Sequence, residues 1–143
     1  MKLIQSKRLA NKIEIKLFRE FPNFKPLQLD IRVWYSENLK GKNAYEIGHA
    51  YVHVYNGKAQ WVDIIIHDEM KRQGIGSEVV TFMKDYLRTI GVKEIWGDIS
   101  PVDNVERTIS FWKKNGFLVE RYASPKGFVA KVTFRLTQKP EEP

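Results

Sequence analysis

The chain reads as an α+β domain. Its expected core is a mixed, mostly antiparallel central sheet with one parallel β-α-β crossover, flanked by helices. Three observations predict this. Apolar residues alternate along residues 27–35, 45–55 and 58–66, as in strands with one buried face. A strand, helix, strand order follows over residues 61–66, 77–90 and 94–99, and such an order needs a right-handed parallel crossover. Two further alternating runs, 117–122 and 128–136, close the chain.

At the N-terminal end, Leu9, Ile13, Leu17 and Phe21 recur at i, i+4 spacing, Ser6 is a candidate cap and Pro22 a stop. This spacing predicts a helix from Ser6 to Phe21. A rival reading remains, because Ile13, Ile15 and Leu17 also alternate as in a strand. The run from Leu27 to Tyr35 has period two and is the first strand of a meander. Turn formers around Gly41 end it. The second strand runs from Tyr45 to Tyr55, and its Gly48 marks a candidate bulge. Asn56-Gly57 is a strong two-residue hairpin signal and leads into the third strand, Lys58 to Ile66.

After a glycine-rich turn, Val79, Val80, Met83, Leu87 and Ile90 lie on one helical face, and Gly91 is the expected C′ residue. A second helix is expected from Asp103. Asp103 and Glu106 have capping-box spacing, Val105, Ile109 and Trp112 share a face, and Asn115-Gly116 ends the run. Residues 124–127, Ser-Pro-Lys-Gly, are a turn between the last two strands.

Length and composition narrow the class. With 143 residues the chain suits one compact domain, expected over 1–136, with 137–143 as a flexible C-terminal tail. There is no cysteine, so disulfides, thiolate nucleophiles and cysteine-ligated zinc are excluded. Met1 to Arg8 is basic and lacks the apolar stretch of a signal peptide, and no apolar run approaches the ~20 residues of a membrane span. A cytoplasmic monomer or homodimer with no membrane partner is the expectation. Lys+Arg exceed Asp+Glu by 24 to 17, a formal charge of +7, which favours anionic partners. The basic residues are spread along the chain, which equally fits plain solubility.

The chemistry-bearing segment is Lys71-Arg72-Gln73-Gly74-Ile75-Gly76, between the third strand and a helix. Backbone N–H groups converge at such a turn, the helix dipole favours negative charge, and glycines allow close approach. It lacks the Gly-Lys-Ser/Thr ending of a nucleotide P-loop and the full GxGxxG of a dinucleotide fold. By itself the turn suggests a phosphorylated ligand or merely a tight connection.

Residues 67–77, taken together with Asn104 and Phe111-Trp112-Lys113-Lys114-Asn115-Gly116-Phe117, resemble the two signatures of the GNAT acetyltransferase superfamily. The resemblance extends in element order over about residues 27–136. It implies transfer of an acetyl group from acetyl-CoA, the co-substrate, to an amine acceptor. It implies that backbone groups of Ile64, Ile65 and Ile66 pair with the pantetheine arm. Lys71, Arg72, Gln73, Gly74, Ile75, Gly76 and Ser77 would surround the pyrophosphate, and Asn104 would hydrogen-bond the arm. Two departures stand out. Lys71 occupies a position where Arg or Gln is usual, so the charge stays and the bidentate fork is lost. Trp112 occupies the place of a Tyr taken to protonate the leaving thiolate, and an indole N–H is no usable acid. Trp112 is therefore expected to pack in the core or against CoA.

The attacking amine must be neutral, so a base or a water chain is needed. Asp63 on the third strand is the first candidate, and Glu46 and Asp98 are the others. Each is equally explained as a solvated carboxylate. His49 and His53 are about 13 Å apart along one strand at ~3.3 Å per residue, too far for one metal, and no metal site is expected. Two other functions compete with acetyl transfer. One is a catalytically weak or inactive CoA-binding module, which Trp112 motivates. The other, less favoured, is a basic nucleic-acid-binding domain, for which no recognised motif speaks.

Overall fold

A computed structural model of the chain describes residues 2–10, 12–20, 27–35, 45–66, 74–101, 104–123 and 127–136; the side chains of residues 62–66 are outside this description. Element order is β1 (Lys2–Arg8), β2 (Ile13–Arg19), β3 (Leu27–Tyr35), β4 (Tyr45–Tyr55), β5 (Lys58–Ile66), α1 (Ile75–Thr89), β6 (Glu94–Ile99), α2 (Val105–Lys114), β7 (Leu118–Arg121) and β8 (Ala130–Arg135). The strands form one eight-stranded sheet in the order β1-β2-β3-β4-β5-β6-β8-β7. Neighbours are antiparallel except β5 and β6, which are parallel and joined through α1. The expected mixed sheet with one crossover is the observed one.

The N-terminal helix expected from Ser6 to Phe21 does not form. β1 and β2 make a hairpin instead, turning at Lys12, whose backbone is left-handed at φ 64°. The alternation of Ile13, Ile15 and Leu17 wins over the i, i+4 spacing. All three are buried, and β2 lies against β3 in register, with Ile15 opposite Val33 and Leu17 opposite Ile31. A strand there buries a ready-made apolar face, whereas a helix would leave β3 an unpaired edge. The meander therefore has five strands, from β1 to β5.

Leu29, Ile31 and Val33 of β3, with Ala50 and Val52 of β4, face the single core. α1 brings Ile75, Val79, Val80, Met83 and Leu87 to it. α2 packs beside α1: a Cβ on Gly76 would come within 3.1 Å of the Phe111 ring, so glycine permits the close approach. Asn115 Nδ2 donates to Ser77 Oγ at 3.2 Å, and the Lys84 ammonium donates to the Asn115 carbonyl. Lys84 also lies 3.7 Å from the Phe134 ring centroid and 5.1 Å from that of Phe117. Burial, and then the nearby Arg88 charge, push its ammonium below its usual value of 10.5.

Below the β5–β6 junction is an aromatic cluster. Trp112 of α2 is buried and meets Trp61 edge-on at 5.5 Å, Phe117 at 4.8 Å and Phe111 at 5.2 Å. The junction itself is tight, because a Cβ on Gly97 of β6 would sit 2.9 Å from the Trp61 carbonyl oxygen.

Two predictions follow from this packing. Gly97→Ala must push β6 from β5, and urea unfolding should show a loss of about 1–3 kcal/mol, as for other overpacked sites; an unchanged midpoint would contradict the close approach. For Lys84 the folded-state value lies below the unfolded one, so protonation opposes folding. Stability should rise as pH climbs toward 10.5 and then level, and Lys84→Met should remove that part of the rise in parallel urea titrations.

Candidate active site

The site is built around a fork in the sheet. β5 pairs with β6 only through Lys58, Ala59 and Gln60, opposite Glu94, Ile95 and Trp96. On its other edge it stays paired with β4 as far as Ile66, opposite Gly48. Beyond Trp61, whose carbonyl lies against Gly97, the β6-facing edge of β5 from Val62 to Ile66 carries no ladder partner among the described residues. Its backbone N–H and C=O groups are available to an extended ligand, which can join as an added strand. The register also slips here. Tyr51 pairs with Asp63 while Val52 pairs with Trp61, leaving Val62 as the extra residue of a bulge at the mouth of the fork. The bulge suggested at Gly48 is present too, because Trp34 pairs with Glu46 and Val33 with Gly48.

α1 begins at the open end of the fork. Its N-cap is Gly74, left-handed at φ 74°, and no side chain caps it. The first helical bond is donated by Glu78 N to Gly74 O at 3.1 Å, so the N–H groups of Ile75, Gly76 and Ser77 have no partner within the helix. With the dipole behind them they form an anion-attracting end. Lys71, Arg72 and Gln73, expected on the same loop, lie outside the described residues. So does His67.

Asn104, expected to bind a ligand, is the N-cap of α2, and its Oδ1 accepts from Arg107 N at 3.1 Å. Helix capping explains an Asn there without any ligand, while its amide nitrogen keeps two donors. Asp103, expected as the cap, falls outside the described residues; the next residue takes the cap position. Trp112, one of the expected cofactor residues, is a core residue of the aromatic cluster.

The three candidate carboxylates occupy different surroundings. Asp63 is on β5 beside the bulge, opposite Tyr51, with its side chain outside the description. Asp98, on β6 beyond the last β5 rung, accepts from the Tyr122 hydroxyl at 2.5 Å. That hydrogen bond, with burial and the Asp98 charge, holds the Tyr122 phenol above its usual value of 10.0. Glu46, on β4, has Oε2 3.4 Å from Arg32 Nη1 and Oε1 3.6 Å from His49 Nδ1. Arg32 Nη2 in turn lies 3.6 Å from Asp30 Oδ2.

Asp30 escapes the sequence reading. It is only 2% exposed, and its Oδ1 has no hydrogen-bond partner. It also holds the Glu20 carboxyl above its usual value, through a hydrogen bond and then, after burial, its charge. One signal was available. Gln28, Asp30, Arg32 and Trp34 alternate with Leu29, Ile31 and Val33, so one face of β3 is polar on an interior strand. Among the described residues, no helix is long and apolar enough to cross a membrane, and no group of three or more ligating side chains gathers for a metal.

Comparison with known proteins bears on the fold. No curated protein matches the chain's sequence. Among solved structures, the PaiA N-acetyltransferase of Thermoplasma acidophilum in complex with coenzyme A superposes with a TM-score of 0.59 at 19% identity, covering 75% of this chain. This chain spans only 61% of that protein's length. The ribosomal-protein-S18-alanine N-acetyltransferase of Escherichia coli gives 0.58 at 18% identity, over 83% of this chain and 75% of that one. The spermidine N-acetyltransferase of Vibrio cholerae, with CoA and spermine, gives 0.61 at 16% identity, over 78% and 67%. The family model described as acetyltransferase (GNAT) family matches residues 14–117, well over half of the chain, and the chain belongs to that family.

Proposed function

We propose that the protein is an acetyl-CoA-dependent N-acetyltransferase that moves the acetyl group to an amine by direct attack. The observation that carries this reading is the forked edge of β5 beside an uncapped helix N-terminus. Backbone groups of Ile64, Ile65 and Ile66 are suited to pair with the pantetheine amides. One backbone N–H of that same stretch would polarise the thioester carbonyl as charge develops on its oxygen. The N–H groups of Ile75, Gly76 and Ser77, with Lys71, Arg72 and Gln73, would hold the pyrophosphate. Asn104 would offer its amide nitrogen to the arm. Two structural neighbours are CoA complexes, which supports the same ligand here. The neighbours act on acceptors as different as a ribosomal-protein alanine and spermidine, so likeness of fold does not select the amine.

A second reading, a CoA-binding module with weak or no turnover, is favoured by one observation. The position of the family's acid is filled by Trp112, sealed among Trp61, Phe111 and Phe117.

Acetyl-CoA at a hundred times its Kd should add about 2.7 kcal/mol to stability by mass action. In a chain of this size that raises Tm by roughly 5–10 °C. No shift at millimolar acetyl-CoA would remove both readings. Release of free CoA with a panel of amines separates them, since only the enzyme releases it faster than the hydrolysis blank. Trp112→Phe keeps the aromatic packing and should leave turnover within about threefold, because the ring serves the core. A fall of a hundredfold in a variant that still melts cooperatively would give the indole a chemical part.

A further inference from the structure

A line of charged side chains crosses the sheet toward the fork on the polar face of β3 and β4. It runs Asp30, Arg32, Glu46, His49, with successive separations of 3.6, 3.4 and 3.6 Å. It ends on β4 at His49, which pairs with Ile65, in the stretch of β5 whose other edge is free. His49 is one strand spacing, about 4.8 Å, from β5, and a ligand added to the far edge of β5 lies a second spacing on, a gap of about 10 Å that the imidazole and one water can span. The His49 side chain is about 30% exposed, so an acceptor or a water can reach it. Its Nδ1 is the nitrogen toward Glu46, which leaves Nε2 for the proton in transit.

We propose that His49 is the general base of acetyl transfer, with Glu46, Arg32 and Asp30 as positioning residues behind it. The assignment rests on the acetyl-transfer reading above. The acceptor arrives as an ammonium. His49 Nε2 takes one proton, directly or through one water, and passes it to solvent. The neutral amine attacks the thioester carbonyl, the C–N bond forms, the C–S bond breaks, and CoA leaves as thiolate. The second N–H proton, shed as the amide forms, neutralises the thiolate. No acid at the Trp112 position is then required.

Imidazole suits this role because its ordinary titration lies near neutrality. Glu46 is less apt as the base, because its Oε2 is engaged by the Arg32 guanidinium at 3.4 Å and its Oε1 faces His49 Nδ1 at 3.6 Å. Its contribution is to fix the ring, as a carboxylate does for a histidine base. Asp30 meets Arg32 on the side away from Glu46 and so holds the guanidinium between two carboxylates. The groups facing the imidazole are Glu46 and Tyr51 on its own strand and Arg32 on β3. On β5, Ile65 is opposite and Asp63 is opposite Tyr51.

The experiment uses the full-length protein, acetyl-CoA and the best amine from the release panel, with kcat and kcat/KM followed from pH 5.5 to 9. His49→Gln should lower kcat about 10²–10⁴-fold and abolish the acidic limb of the profile. Its acetyl-CoA thermal shift should stay that of the wild type. Added imidazole should restore part of the rate to His49→Ala. Glu46→Gln should displace the acidic limb and lower kcat with little change in KM. His53→Gln, four residues along the same strand, should behave as wild type. Wild-type kcat and an unchanged acidic limb in His49→Gln would overturn the assignment while acetyl transfer stands. Wild-type protein that binds acetyl-CoA yet acetylates no amine would overturn acetyl transfer, and the assignment with it. Should His49→Gln fail to fold, the Glu46→Gln profile decides, and an unmoved acidic limb there overturns the proposal.

Discussion

β5 and β6 share three parallel rungs and then part, and the use of this protein depends on that short contact. The rungs at Lys58–Gln60 join the five-stranded meander to the β6-β8-β7 half of the sheet. A longer ladder would close the edge proposed for the ligand, and no ladder would separate the two halves. The Trp61–Trp112–Phe117 cluster beneath the junction supplies what the missing rungs do not. Large aromatic burial is worth several hydrogen bonds, so the sheet can forgo backbone pairing on one side without coming apart. Gly97 completes the arrangement by letting β6 rest almost on the Trp61 carbonyl. The fork is therefore a consequence of packing, held open by side chains beneath it.

This view alters the meaning of Trp112. From sequence it is a departure at a catalytic position. In the fold it is an edge-on partner of Trp61 and Phe117, 6% exposed, at the hinge of the fork. A tyrosine there would bring a hydroxyl that needs a hydrogen-bond partner inside an aromatic cluster. The chain thus has packing at this position, and on the acetyl-transfer proposal the proton would travel by another route.

The sequence was most informative where period and turn chemistry agree. The strands from Leu27 to Ile66, the Asn56-Gly57 hairpin, the crossover and both helices stand within a few residues of expectation. It was least informative at the N-terminus, where two periods overlap. Leu9, Ile13 and Leu17 fit a helix and Ile13, Ile15 and Leu17 fit a strand, and the choice rests with β3, which offers Val33 and Ile31 as cross-strand partners. Such a tertiary partner is invisible to a local pattern. For the site, glycines announced the helix N-terminus correctly, since Gly74 is left-handed and Gly76 meets Phe111. The charged line was not legible, because Asp30, Arg32, Glu46 and His49 come from two strands and become neighbours only through the register of β3 on β4. Histidines on one strand, judged by their mutual spacing, answer only the question of metal binding.

The buried Asp30 gives that charged line its physical sense. A carboxylate 2% exposed with one unpartnered oxygen is costly, and its Arg32 partner offsets that cost only in part. A strand whose purpose was stability alone would gain from an apolar residue there. What Asp30 supplies is direction. It holds Arg32 from behind, Arg32 holds Glu46, and Glu46 faces the imidazole one strand away from the open-edged β5. The field at the fork is then set locally and against the global balance. The chain carries +7, yet the described carboxylates near the fork, Glu46 on β4 and Asp98 on β6, are each fixed in place, by Arg32 and by the Tyr122 hydroxyl. On the acetyl-transfer proposal, a cationic amine repelled by the surface at large would meet oriented negative charge near the splayed strands, where it would have to lose a proton before attack.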